Sequence, residues 1–549
     1  MRKMGIMEKR VRRKKKNNTQ GVLLSVAGLL GLIKQIPLTN IIGDSGNAYY
    51  AAAYGIFMVL FAITSYGLPE AVGQLVRARI SKEQYKNAGR VMGAAIWISL
   101  LLSFAGSALV FLTADVIAAE VMKEPLCMYA VRAFLPALPI FAVVGAFRGY
   151  FQGLGTKMPT MLSEIIQKVI LLITVLIGAD ILSGYGADVG RLLKNEEFSA
   201  AFGGMGAAAA TGIGALAGML FLLFVYQLYR GVLRKQEQKD TVRSTEAYGQ
   251  IIKLLVCAAV PVIIPVILYV MCHLSEHAVF NRYMMDNGMA GARAAQWGVY
   301  FGKYQVLTGM MVLFATGNVF PMLPGILNAI GKADYKQARD RIGGAIHQTM
   351  FLAIPGAVFL VVSAKPLISF FYDGEMELAS GMLRVGALLV VLMSFALLTG
   401  KILFGMGRKQ RVLLHILIAV IVQLILFVVF LFYLKLGIYS AVYAEMVSVF
   451  LCDLLNLLLL GRGMHYRQEW IRTCVVPLIA SAGMGIAEYL LLIGFSNLMG
   501  NMAVLPVALI GLILYLTAEI ALKGISEKEL MRMLGGGIVV KAAKAVRLL

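Results

Sequence analysis

His273, Glu276 and His277 stand together in the run His-Leu-Ser-Glu-His. On a helix both imidazoles share a face, so they could grip one zinc ion while the glutamate acts as base, as in some zinc peptidases. The run closes an apolar segment, and five residues specify a metal only weakly. A polar helix end, or a proton-sensitive coupling or gating site, accounts for the same residues more simply. No metal is expected. No Gly-rich loop ending in Gly-Lys-Ser/Thr occurs, so neither nucleotide hydrolysis nor a cofactor is expected. The five cysteines (127, 257, 272, 452 and 474) form no Cys-x-x-Cys pair and read as small hydrophobes.

A second set of residues is chemically costly because of where it sits. Lys34, Arg132 and Lys303 fall within apolar runs, and Arg148 lies at the end of one. Glu164 and Lys168 are one helical turn apart. Glu445 and Asp453, eight apart, share a helix face. A charge at mid-bilayer costs about 2.5–3.5 kcal/mol on insertion scales, so it faces a cavity, finds a partner or snorkels to the interface.

The elements that hold these charges are membrane helices. Of 549 residues, 59% are hydrophobic and 15% charged, whereas soluble proteins carry about 25% charged residues. Apolar runs near 20–42, 47–68, 88–113, 126–149, 159–182, 202–229, 250–274, 297–320, 343–364, 377–400, 411–434, 438–461, 473–494 and 502–522 predict fourteen transmembrane helices. Only helices satisfy their own backbone in lipid here, so the fold class is all-α, a polytopic membrane protein. The formal charge of +22 falls mainly between the runs, as in Arg77, Arg79, Lys82, Lys86 and Arg90, or Arg230, Arg234, Lys235, Lys239 and Arg243. Such loops set topology rather than bind nucleic acid, and their alternation puts both termini in the cytoplasm. The basic start reads as leading into an uncleaved first helix.

The halves repeat. Lys82, Tyr85, Lys86 and Gly93 align with Lys332, Tyr335, Lys336 and Gly343. After a two-residue shift Arg132 meets Arg384, and Gln-Gly153-Leu-Gly155-Thr-Lys157 meets Phe-Gly405-Met-Gly407-Arg-Lys409. Two parallel six-helix lobes plus two C-terminal helices follow, with alternating access by rocking. The expected divisions are a basic N-terminus 1–19, an N-lobe 20–229, a linker 230–249, a C-lobe 250–461, a final pair 473–522 and a basic tail 523–549.

Four stretches resemble the multidrug/oligosaccharidyl-lipid/polysaccharide exporter superfamily. They are Gly31-Leu-Ile-Lys34 with Ile42-Gly43, Gly67-Leu-Pro69-Glu70-Ala71, Arg148 through Gly155, and Pro159 through Lys168. Within it the chain is similar to the polysaccharide-biosynthesis and lipid II flippase branch, which includes MurJ-type flippases and the stage V sporulation protein B group. Lys34 stands where MurJ-type proteins carry a cavity arginine, and Glu276 near where the Gram-positive group has an aspartate.

The resemblance implies flipping of undecaprenyl-pyrophosphate-linked sugars in the bacterial cytoplasmic membrane. Lys34, Arg132, Lys303 and Arg148, with the Glu164–Lys168 pair, would line a head-group cavity. His273, Glu276, His277, Glu445 and Asp453 would serve coupling or gating. Implied partners are a lipid-linked oligosaccharide, membrane lipids and cell-wall synthesis proteins. Three rivals stand beside this reading: a multidrug/cation antiporter of the same fold, a non-transporting cell-wall scaffold, and the membrane peptidase.

Overall fold

The computed structural model describes residues 28–238, 240, 245–317, 319–531, 537, 540 and 544. The N-terminus 1–19, the start of the first expected span, Lys239 and Arg243 of the linker, and Arg532, Lys541 and Arg547 of the tail lie outside them. The described residues are helical, without a strand, and the protein is an all-α, multi-pass membrane protein. Thirteen helical segments among them are long and apolar enough to cross a membrane.

The difference from fourteen lies at the start. Gly28–Ile80 is a single helical segment of 53 residues, about 80 Å at 1.5 Å per residue. It takes in the described part of the first expected span and all of the second. It is not straight: Gly43 has φ 70° and ψ 180°, a combination open essentially to glycine alone. Side chains satisfy the polar groups beside the break. Asn47 Nδ2 donates to the Gly43 carbonyl at 3.1 Å, and Gln35 Nε2 donates to Asn47 Oδ1 at 2.7 Å.

Two compact units are present, Ile33–Gly302 and the chain from Lys303 onward with residues 28–32. The first holds α1 (Gln35–Phe61), α2 (Leu68–Ile80), α3 (Tyr85–Val116), α4 (Cys127–Phe134), α5 (Ala137–Gly153), α6 (Met158–Leu193), α7 (Glu197–Gln238), α8 (Tyr248–Asp286) and α9 (Arg293–Val299). Helices in lipid gain little from hydrophobic exclusion, so they pack through small residues that let backbones approach. In the α6–α7 hairpin a Cβ on Gly206 would collide with the Gly178 carbonyl, and one on Gly214 would lie 2.9 Å from Gln167 O. Between α2 and α5, a Cβ on Gly149 would come within 2.6 Å of Val72 Cβ. Helix α8 packs on α1 with Leu274 over Gly55. The outward faces are apolar: Ile173, Ile177 and Ile181, one turn apart on α6, are all exposed, as lipid contact requires.

The second unit holds α10 (Gln305–Gly317), α11 (Leu323–Gly331), α12 (Tyr335–Val362), α13 (Ala364–Phe371), α14 (Met376–Gly386), α15 (Leu388–Gly405), α16 (Lys409–Phe432), α17 (Tyr439–Met464), α18 (Val476–Met499), α19 (Val504–Ala521) and the short α20 (Glu527–Leu530). Its centre is α12, whose Ile342, Ile346 and Ile354 join Leu398, Ile402, Val412 and Leu460 in one buried cluster. The α18–α19 hairpin docks on α12 through Phe351, Met484 and Tyr515, and Tyr515 Oη donates to the Phe351 carbonyl at 2.7 Å.

Positions aligned in the sequence repeat share backbone geometry. Glu83 and Ala333 are both left-handed (φ 59° and 55°), each just before a helix that starts at the paired tyrosines Tyr85 and Tyr335. Gly155 and Gly407 are left-handed too, φ 85° and 81°. The helix carrying Arg132 and the helix carrying Arg384 are each interrupted shortly after that residue, giving α4/α5 and α14/α15.

Candidate functional site

Lys34 occupies the turn immediately before α1. Its Nζ donates to Tyr50 Oη at 3.1 Å and to Gln35 Oε1 at 3.4 Å, and lies 5.1 Å from the Tyr50 ring centroid. Arg148, on α5, is held by α6: Nε donates to Ser163 Oγ at 3.0 Å and Nη2 to Gln167 Oε1 at 2.8 Å. Thr160 Oγ1 in turn donates to the Arg148 carbonyl at 3.2 Å. Lys168, also on α6, lies within electrostatic reach of Lys34, Glu164 and Arg148.

Three of the sequence-predicted binding residues, Lys34, Arg148 and Glu164, therefore lie within electrostatic reach of a fourth, Lys168, inside the first unit. Three cations face one carboxylate, a formal excess of two positive charges. Lys34, Arg148, Glu164 and Lys168 are all half-buried. Like charges at close range repel, and desolvation adds to the cost. A cluster of this kind is complementary to an anion, and the forked guanidinium suits phosphate oxygens in particular.

The other two expected binding residues stand elsewhere. Arg132 on α4 pairs with Asp115 at 2.8 Å, both side chains partly exposed, and its guanidinium lies over Phe111. Lys303, in the second unit, is fully buried and donates to the carbonyls of Asp373 at 2.8 Å and Glu375 at 3.4 Å.

The expected coupling residues also divide. Glu445 and Asp453 are buried on α17. Around them runs a polar seam that sequence reasoning missed: Ser448 Oγ donates to Gln423 Oε1 at 3.1 Å, His415 Nδ1 is 2.9 Å from Asn456 Oδ1, and Asn456 Nδ2 donates to Thr399 Oγ1 at 3.3 Å. Its signal was the recurrence of Glu445, Ser448, Cys452 and Asn456 on one helical face, most of them uncharged. On α8, His273 Nδ1 lies 3.0 Å from Glu276 Oε2, and His277 Nε2 lies 3.3 Å from Glu124 Oε1. Among the described residues no group of three or more His, Cys, Asp or Glu is placed to hold a metal. Ser163 and Gln167 stand in the 159–168 stretch that carries the resemblance, but their bonds to Arg148, like that of Tyr50 to Lys34, exist only once the fold brings a cation to them.

Matches to two family models make this many-helix membrane protein a multi-pass membrane transporter of the multidrug/oligosaccharidyl-lipid/polysaccharide exporter superfamily. Within that class the chain belongs to the polysaccharide biosynthesis protein family, whose family model matches residues 20–327. The MatE family model matches residues 261–429. The lipid II flippase MurJ of Bacillus subtilis (strain 168) is 22% identical over 476 residues, 84% of this chain and 85% of the relative. Stage V sporulation protein B of the same organism is 24% identical over 241 residues, 43% of this chain and 44% of the relative. A solved lipid II flippase MurJ in an inward closed conformation superposes with a TM-score of 0.63 at 15% identity, covering 91% of this chain and 98% of that one.

Proposed function

We propose that the chain flips an undecaprenyl-pyrophosphate-linked sugar, lipid II or a polysaccharide repeat unit, across the bacterial cytoplasmic membrane by alternating access, for peptidoglycan or polysaccharide synthesis. One observation carries this reading: Lys34, Arg148 and Lys168 gather beside Glu164 at half-buried positions. The pyrophosphate would sit against these cations while the prenyl tail stays in lipid, so that the charged head group crosses with a counter-charge already in place. The likeness to lipid II flippase MurJ over most of the chain supports the substrate class. Lobes 20–229 and 250–461, both termini cytoplasmic, and movement of the substrate rather than its chemical alteration belong to the same proposal. Its partners are the lipid-linked oligosaccharide, membrane lipids and cell-wall synthesis proteins.

The test is complementation of a bacterium depleted of its own lipid II flippase, joined to an assay of lipid II head-group exposure on the outer leaflet. The wild-type chain restores both. Lys34→Ala loses exposure, and Lys34→Arg keeps it. Rescue by Lys34→Ala equal to wild type would remove the cationic site from the mechanism. The antiporter reading draws on the MatE match at 261–429 and on the buried acids Glu445 and Asp453. It is favoured if the chain confers cation or dye efflux and fails to expose lipid II.

A further inference from the structure

Glu124 lies in the segment joining α3 to α4 and is fully buried. Its Oε1 is 3.3 Å from His277 Nε2 on α8, and its Oε2 has no hydrogen-bond partner among the described residues. His277, also buried, stacks flat on the Trp297 indole, with ring centroids 4.4 Å apart and planes 5° from parallel. One turn along α8, Asn281 Nδ2 donates to the Met122 carbonyl at 2.8 Å and fixes the same segment. A buried carboxylate with one oxygen lacking a donor is costly, and a proton taken up by the pair lowers that cost by cancelling its net charge. The pair carries a net negative charge when the imidazole is neutral and none when it is protonated.

We propose that Glu124 and His277 form a proton-binding site, loaded from water, whose loading and release accompany the transport cycle. The second clause rests on the transporter reading above; the first does not. Other titratable groups face the pair from each neighbouring element. Tyr49 of α1 feels Glu124, Arg293 of the α9 start and Glu197 of α7, whose Oε2 accepts from Tyr49 Oη at 2.9 Å. Cys127 of α4 also feels Glu124. On α8 itself stand Glu276 and His273, with Tyr269 edge-on to His273. The mechanical consequence runs through α8, which contains Pro261 and Pro265. Each proline removes a backbone donor and gives the helix a place to bend. Changing the charge at Glu124–His277 changes how tightly the far part of α8 is tied to the 122–126 segment.

Trp297 is the built-in reporter, because imidazolium quenches a stacked indole more strongly than neutral imidazole does. The chain has three tryptophans, so the full-length Trp97→Phe/Trp470→Phe variant leaves Trp297 alone. In lipid nanodiscs, its emission is expected to fall at least about twofold when the pH is lowered from about 8 to about 5. His277→Gln abolishes the change. Glu124→Gln alters the profile, because the imidazole then faces an amide instead of a carboxylate. A flat profile, or an unchanged profile in His277→Gln, overturns the site. Infrared difference spectra of the unmutated chain between the two pH limits provide an independent reading if a variant fails to fold. An imidazolium or protonated-carboxyl band supports the site, and the absence of both overturns it.

For the second clause, proteoliposomes containing lipid II are given a pH gradient. Flipping that the gradient accelerates in wild type but not in His277→Gln supports coupling. Flipping indifferent to the gradient in wild type overturns it, and no flipping at all, with the fluorescence titration intact, overturns the flippase reading while leaving the proton site standing.

Discussion

Lys34 and Lys303 obey the same sequence rule, a lysine inside an apolar run, yet they end in opposite circumstances. Lys34 stays half-buried beside other charges, whereas Lys303 is sealed in and bonded to two backbone carbonyls. Sequence can flag the cost of a buried charge, but what meets that cost depends on residues about 70 positions away, as Asp373 does for Lys303. Lys303→Met removes the ammonium donor from the carbonyls of Asp373 and Glu375, at about 1–3 kcal/mol. Its melting temperature in detergent should fall clearly, whereas Lys34→Ala should melt close to wild type and lose transport.

At the surface of the second unit, Glu529 Oε2 accepts from Arg472 Nη2 at 2.6 Å and from Ser526 N and Oγ at 3.0 and 2.6 Å. Burial pushes this carboxyl up, but the Ser526 hydrogen bonds and the Arg472 charge outweigh it and hold the group below the usual glutamate range. A carboxyl with a depressed folded value stabilises fully above its unfolded value of about 4.3 and loses that contribution as pH falls through the folded value. Glu529→Gln should therefore lower the melting temperature most near neutral pH, with the gap to wild type closing on acidification below about pH 4.

At the level of elements, the apolar runs made most helices legible, because hydropathy and length suffice once backbone groups must pair internally. An interruption near Gly43 was legible, because Gly43-Asp44-Ser45-Gly46 separates the first two apolar runs, but its form was not: the chain stays helical through it, and φ 70° with ψ 180° at one glycine makes the break. Packing glycines were equally silent. Gly178 and Gly206 look like any membrane glycines until α6 and α7 close on each other. Gly206→Val must push the two backbones apart and should cost about 1–3 kcal/mol, read as a lower melting temperature. Gly184→Val, where an added Cβ meets nothing within 4 Å, should change little.

For the molecule as a whole, the repeat was the most informative sequence feature, since paired residues 81–96 and 331–346 adopt paired backbone turns. Of the expected cavity residues, Arg148, Glu164, Lys168 and Lys34 meet in one unit because α1, α5 and α6 converge, a tertiary fact that no spacing encodes. Parallel repeats place their equivalent loops on one side of the membrane. Ser81→Cys and Lys332→Cys, in a background with Cys257 and the other native cysteines replaced, should both react with an impermeant maleimide only from the cytoplasmic side. Labelling from opposite sides would refute the parallel arrangement.

The α6–α7 hairpin carries one more consequence. Its helices have 36 and 42 residues, about 54 and 63 Å of rod, while the oily slab is about 30 Å thick. Even a steep lean shortens such a rod too little to submerge it. The hairpin must stand proud of the bilayer, so its charged crown around Arg191 and Lys194 meets water, and whatever is dissolved there, well before the lipid does.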